Sequence, residues 1–224
     1  DNSRGQFMGN IAHELRTPMT TIKGFIDGIL DGTIPPDMQN HYLQLVSEET
    51  GRLARLIQNM LDLSKLESGE YQVNARMFNI WETLTGVALS AEQRINDGMI
   101  DIDGLTMDEK VLVYADPDLI HQVAYNLLDN AIKYSAPGGR ITVKLWAGEY
   151  KAFIELIDQG RGIPPEDLEN VKTKFYKGSN SVRGSGIGLA LVDSIMTALD
   201  GTMDIKSTLG RGTVVTLGLP LYKK

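Results

Sequence analysis

The sequence predicts an α+β protein in two parts, a helical hairpin followed by an α/β sandwich. Residues 1 to about 70 repeat apolar side chains every three or four positions, the period of amphipathic helices. From about residue 72, short β-rich runs mix with amphipathic stretches. The two do not alternate strictly, so one sheet covered by helices fits better than a chain of βαβ units.

The first helix is marked by Phe7, Ile11, Leu15, Pro18, Ile22, Phe25 and Ile29, the second by Tyr42, Val46, Leu53, Leu56, Met60 and Leu63. Ile34-Pro35-Pro36-Asp37 reads as the turn between them, with Asp37 as N-cap of the second helix. Two helices cannot bury both stripes. Pairing two copies into a four-helix bundle buries them, so a homodimer is expected. A coiled-coil stalk is the plainer reading of the same pattern.

At about 100° per residue, the marked residues of the first helix all lie within about 40° of Ile11. His13 falls at about 200°, on the exposed face, and Thr17 follows one turn later. Free imidazole titrates near ~6.5, so its neutral, nucleophilic form dominates at neutral pH. A solvated surface histidine is the alternative. Pro18 removes the helical bond to the Glu14 carbonyl, at about 3 kcal/mol, and marks a place for local bending.

In the second half, strands are expected at 111–114, 141–146, 152–157 and 213–217, and helices at about 80–96, 117–134 and 187–199. Ser68-Gly69-Glu70 reads as the linker, which divides the chain into domains 1–69 and 70–224. Three groups here carry chemistry. Asn126 and Asn130 share a helix face, with Lys133 and Tyr134 close behind. Amide oxygens completed by phosphate oxygens and water suit Mg²⁺, and lysine supplies a point charge for phosphate. Asp158-Gln159-Gly160-Arg161-Gly162-Ile163-Pro164 follows an apolar strand. Its glycines admit close ligand approach, and its acid can accept from an exocyclic amine. Arg183-Gly184-Ser185-Gly186-Ile187-Gly188-Leu189 opens a helix, and its N–H groups suit an anion. It matches neither the Walker nor the Rossmann glycine pattern. Residues 165–183 form a long connection that reads as a lid over a nucleotide or as a plain surface loop.

The bulk numbers narrow the class. The chain has 224 residues, 42% hydrophobic and 23% charged, a globular profile. A net charge of −7 gives no broad basic field for nucleic acid. No cysteine is present, so disulfides and thiolate metal sites are excluded. No apolar run reaches the ~18 residues that span a bilayer. The chain opens at Asp1 without methionine, which reads as an excised cytoplasmic fragment with room for membrane segments upstream.

Taken together and in order, these residues resemble the sensor histidine kinases of two-component systems. His13-Glu14-Leu15-Arg16-Thr17-Pro18 is similar to that family's phosphoacceptor box, and the asparagine helix to its N box. The glycine groups are similar to its G1 and G2 boxes, and Gly210-Arg211-Gly212-Thr213 to its closing G-T motif. The resemblance covers nearly the whole chain. It implies a dimeric phosphotransfer bundle followed by a Bergerat-type ATP-binding sandwich shared with Hsp90, gyrase B and MutL.

The resemblance implies autophosphorylation of His13 from ATP, then transfer to an aspartate of a response-regulator receiver domain, with phosphatase activity toward that regulator. Glu14 is the implied base, and Thr17 positions water for dephosphorylation. Asn126 and Asn130 are implied near Mg²⁺, and Lys133 and Tyr134 near the phosphates. Asp158 takes the adenine amino group, in a pocket shaped by Gly160, Gly162 and Ile163. Gly184, Gly186, Gly188 and Leu189 form hinge and phosphate cradle, and Phe175, Lys177 and Thr213 complete the nucleotide contacts. One region departs from the pattern. Lys172 stands where the family's first lid aromatic is usual, and Lys177 where an arginine is usual. His41 and His121 read as surface residues. A clamp-type ATPase, a nucleotide-sensing scaffold and a pure phosphatase are the rival readings; the helix bearing His13 before the ATP domain separates the first.

Overall fold

In the computed structural model the described residues are 2–105, 110–177 and 186–221, with side chains from residue 5. They fall into two compact units, Asp1–Asp62 and Leu63–Lys224.

The first unit holds α1 (Asn2–Leu30) and most of α2 (Gln39–Ser68). The apolar row of α1 is half-buried from Phe7 to Ile29, while His13, Arg16 and Thr17 are exposed. The helix runs through Pro18. The Phe25 ring meets Tyr42 edge-on, with centroids 5.1 Å apart. In the turn, Asp31 accepts from the Thr33 N–H at 2.9 Å, and the Ile34 side chain covers Gly28. Asp37 does not cap α2. The turn takes up Asp37, with the Met38 N–H donating to the Pro35 carbonyl, and the helix opens at Gln39 on a bond from the Tyr42 N–H to the Met38 carbonyl. At the far end, Gly69 takes a left-handed φ of 73° and the Glu70 N–H returns to the Lys65 carbonyl, which stops α2.

The second unit continues from the last residues of α2. Its elements are β1 (Arg76–Asn79), α3 (Ile80–Ser90), α4 (Glu92–Asp97), β2 (Asp101–Asp103), β3 (Leu112–Ala115), α5 (Pro117–Tyr134), β4 (Arg140–Ala147), β5 (Lys151–Asp158), α6 (Pro165–Leu168), α7 (Gly188–Ala198), β6 (Thr202–Thr208) and β7 (Gly212–Pro220). The main sheet has the order β2-β4-β5-β7-β6, antiparallel except for the β2–β4 pair. β1 and β3 form a separate two-stranded ribbon. Helix α5 packs against α3, α7 and β5, so one helical layer lies on one sheet face.

The sequence sets these elements locally. Asp116 caps α5, its carboxylate accepting from the N–H groups of Asp118 and Leu119, with Pro117 preset for the first turn. The amide oxygen of Asn79 accepts from both Trp81 and Val111, starting α3 and fastening β3 beside it. On β5, buried Ala152, Ile154, Leu156 and Asp158 alternate with half-buried neighbours. The four expected strands and the helix at 117–134 stand within two or three residues of their expected ends. The helix expected over 80–96 is two, broken at Ala91. Strands β1, β2 and β6 were not expected, since the first two are short and β6 is an edge strand with only Met203 and Ile205 as large apolar residues.

Candidate functional site

Each unit carries one part of the chemistry. On α1, the His13 side chain is 73% exposed while that of Glu14 is only 14% exposed. Glu14 Oε1 lies 3.8 Å from His13 Nδ1, just beyond hydrogen-bond reach. The carboxylate is therefore on the Nδ1 side, and Nε2 is the nitrogen left facing outward. The Thr17 hydroxyl donates to the His13 carbonyl at 3.4 Å, which keeps it on the same exposed face.

In the second unit, the end of β5 delivers Asp158 into a buried position, 9% exposed. Its carboxylate accepts from the Gly160 N–H at 2.8 Å. Burial pushes the Asp158 carboxyl above its ordinary value, and the N–H groups of Gly160 and Thr213 act against that rise. A largely buried carboxylate has acceptor capacity beyond these N–H groups and suits recognition of an amine.

Glycine is required around it. A Cβ at Gly160 would sit 2.6 Å from the Tyr134 carbonyl oxygen, and one at Gly162 only 2.1 Å from that of Thr208. At Gly212, φ is 111° and a Cβ would be 2.0 Å from the Asp158 carbonyl oxygen. The segment is thus pressed between the end of α5 and the β6–β7 turn. Ser207 supports this side, accepting from the Ile163 N–H at 2.8 Å, with the Thr213 hydroxyl also at 2.8 Å.

Helix α5 provides the other wall. Asn126 is buried, and its Nδ2 donates to the Gln122 carbonyl at 2.9 Å. This leaves Oδ1 on the side of Gly188, where an added Cβ would approach it to 3.2 Å. Asn130, Lys133 and Tyr134 are half-buried on the following turns. Asp129 takes Arg94 at 2.7 Å and Lys133 at 3.8 Å. Burial raises the Tyr134 phenol above its ordinary value; Arg161 opposes this by charge and hydrogen bonding, and Asp129 adds to it. Among the described residues no side chain caps the start of α7 at Gly188, a helix N-terminus of the kind that suits an anion, and Leu189 follows half-buried.

The connection between α6 and α7 is anchored at several points. The Phe175 N–H donates to the Gly186 carbonyl at 2.9 Å, with Phe175 at φ 60° and Gly186 at φ 69°. The Tyr176 hydroxyl donates to buried Asp167 at 2.5 Å. Lys172 donates to the Met203 carbonyl at 3.1 Å and lies 3.6 Å from Asp193, so a polar clip stands where an aromatic was usual. Lys174 pairs with Glu67 at 2.6 Å, and Lys177 is exposed. Gly184 and Arg183 lie outside the described residues. Through the contacts above the structure joins Tyr134, Asp158, Gly160, Gly162, Ile163 and Thr213, and separately sets Gly188 against Asn126 on α5. Ser207 and the contact of Arg161 with Tyr134 were missed. Ser207 lies on the unexpected edge strand, and Arg161 stands in the glycine motif with no role assigned to it from the sequence.

Two family models match the chain. Residues 3–69 match the His Kinase A (phospho-acceptor) domain, and residues 115–223 match the histidine kinase-, DNA gyrase B- and HSP90-like ATPase family. The chain is 34% identical over 233 aligned positions to the sensor histidine kinase YclK of Bacillus subtilis, covering 100% of this chain and 48% of that protein. It spans about half the length of that curated relative. Among solved structures, the Acinetobacter baumannii histidine kinase AdeS superposes with a TM-score of 0.75 at 26% identity, over 94% of this chain and 98% of the other. Histidine kinase ThkA, in complex with response regulator protein TrrA, also gives a TM-score of 0.75, at 25% identity, over 97% of this chain and 62% of the other.

Proposed function

We propose, for a chain that belongs to the sensor histidine kinase family, that it moves the γ-phosphate of ATP onto His13 and then onto an aspartate of a response regulator. The carrying observation is the exposed His13 imidazole, its Nδ1 side turned to Glu14, in one chain with an ATPase-family domain. Nε2 attacks the γ-phosphorus, the bond from phosphorus to the β,γ-bridging oxygen breaks, and ADP leaves. Glu14 accepts the imidazole proton from Nδ1; a small rotation closes its 3.8 Å gap. The phosphoryl group then passes from Nε2 to a carboxylate oxygen of the regulator, which restores the imidazole. Both transfers depend on positioning and charge neutralisation.

The buried Asp158 carboxylate suits the adenine amino group as acceptor. Lys133 and the N-terminus of α7 suit the phosphates. The amide oxygens of Asn126 and Asn130 suit a hard cation and would hold Mg²⁺ together with phosphate oxygens and water, where it would supply charge neutralisation. Exposed Met8, Met19, Ile26, Leu30, Leu43 and Leu61 support pairing of two hairpins as a dimer. Among the described residues, no helix is long and apolar enough to cross a membrane.

Incubation with γ-labelled ATP and Mg²⁺ tests the reading. A protein-bound label stable to alkali and lost in acid is expected; steady hydrolysis without such a label rejects it. Asn130→Ala is expected to lose at least about tenfold in ATP affinity with Mg²⁺ present, and far less with the metal chelated. Equal affinities in titrations with and without Mg²⁺ remove Asn130 from the metal site. Thr17 suits a water-positioning role in regulator dephosphorylation. Thr17→Ala should slow that step about tenfold or more while self-labelling stays intact, and unchanged dephosphorylation kinetics reject the role.

A further inference from the structure

We propose that Arg161 is a positioning residue for the nucleotide: its guanidinium, laid over the Tyr134 ring, fixes that ring beside Lys133 at the end of α5. The inference rests on the adenine-nucleotide reading of the Asp158 pocket. Arg161 Cζ lies 4.6 Å from the Tyr134 ring centroid, a cation–π distance. Arg161 stands between two glycines whose backbones touch opposite walls, Tyr134 at Gly160 and Thr208 at Gly162. The Gly210 N–H donates to its carbonyl at 2.6 Å. Its backbone is therefore clamped, which sets where the side chain starts toward Tyr134. Asp158, three residues earlier on the same segment, is at most about 10 Å of extended chain away. A nucleotide anchored by its base at Asp158 and by its phosphates near Lys133 passes this ring.

The charge balance explains why a cation is useful there. Asp129 on α5 draws on both Arg94 and Lys133, so part of the lysine's field is already offset. Arg161 adds a positive charge on the segment that carries Asp158. A flat guanidinium can also cover a ring face, which a compact ammonium cannot.

The test titrates ATP into the whole chain and follows self-labelling as a function of ATP. Variants are Arg161→Gln, Arg161→Lys, Tyr134→Leu and the Arg161→Gln/Tyr134→Leu double. Arg161→Gln is expected to weaken ATP binding about three- to tenfold, raising KM while the rate at saturating ATP holds. Arg161→Lys should recover only a minor part. In the Tyr134→Leu background, adding Arg161→Gln should change little, because the ring through which it acts is gone. A full additional loss in that background overturns the proposal and assigns Arg161 to the phosphates directly. Unchanged ATP affinity in Arg161→Gln overturns it and leaves the nucleotide reading standing. A matched fall in saturating rate and unfolding temperature also overturns it, as a purely structural effect. A parent chain that binds no ATP sinks the nucleotide reading itself.

Discussion

His13→Ala is expected to reduce incorporation of the γ-phosphate by at least about a thousandfold, to background, while ATP binding stays within about twofold. In the proposed transfer the imidazole supplies the attacking nitrogen; of its neighbours, mostly covered Glu14 and exposed Thr17 offer oxygen rather than nitrogen, and the guanidinium of exposed Arg16 stays protonated and is a poor nucleophile. Its 73% exposed side chain packs against little, so its removal leaves the helix intact. Surface substitutions of this kind change stability by about 0.5 kcal/mol or less. The proposed nucleotide pocket at Asp158 belongs to the other compact unit. Label retained in the variant would place the acceptor elsewhere. Lost ATP binding would mean that the two parts are not separable as described.

Gly212→Ala is expected to be the most damaging small substitution in the second unit. It meets two obstacles together. A φ of 111° is strained for any L side chain, at about 1–3 kcal/mol. The new Cβ would also sit 2.0 Å from the Asp158 carbonyl oxygen, so β5 and β7 must part where they hold that residue. A unit of this size loses about 2–4 °C in unfolding temperature per kcal/mol, so a fall of about 10 °C is expected. ATP affinity should fall about a hundredfold or more, since Asp158 moves with its strand. Gly210→Ala is the control: φ is 79°, but nothing lies within 4 Å of the added Cβ. It should show the strain without the displacement, losing a few degrees and keeping ATP affinity. Equal losses of affinity in the two variants would show that the contact with Asp158 is not what shapes the pocket.

Much of this was legible in the chain because the signals are local. The seven apolar residues of α1 share one stripe, and helical geometry alone then puts His13 outside. Asp116-Pro117 starts α5 through its own turn, and the apolar run before Asp158 ends where that residue must emerge from the sheet. The misses are those of longer range. Asp37 looked like a cap, but the pair of prolines before it set a turn that carries the helix start past it. β6 has too few apolar residues to announce a strand, and it forms because β7 supplies the partner hydrogen bonds.

The sequence by itself determined the two-part plan, the exposed histidine and the order of the nucleotide groups, since each depends on neighbours within one or two turns or along one strand. Tertiary structure alone decided which glycines are indispensable, that Ser207 braces Ile163, that Lys172 clips to Met203 and Asp193, and that Arg161 covers Tyr134. Those contacts join positions from 21 to 54 residues apart, and a residue's use at such range is set by the backbone that the rest of the fold brings against it.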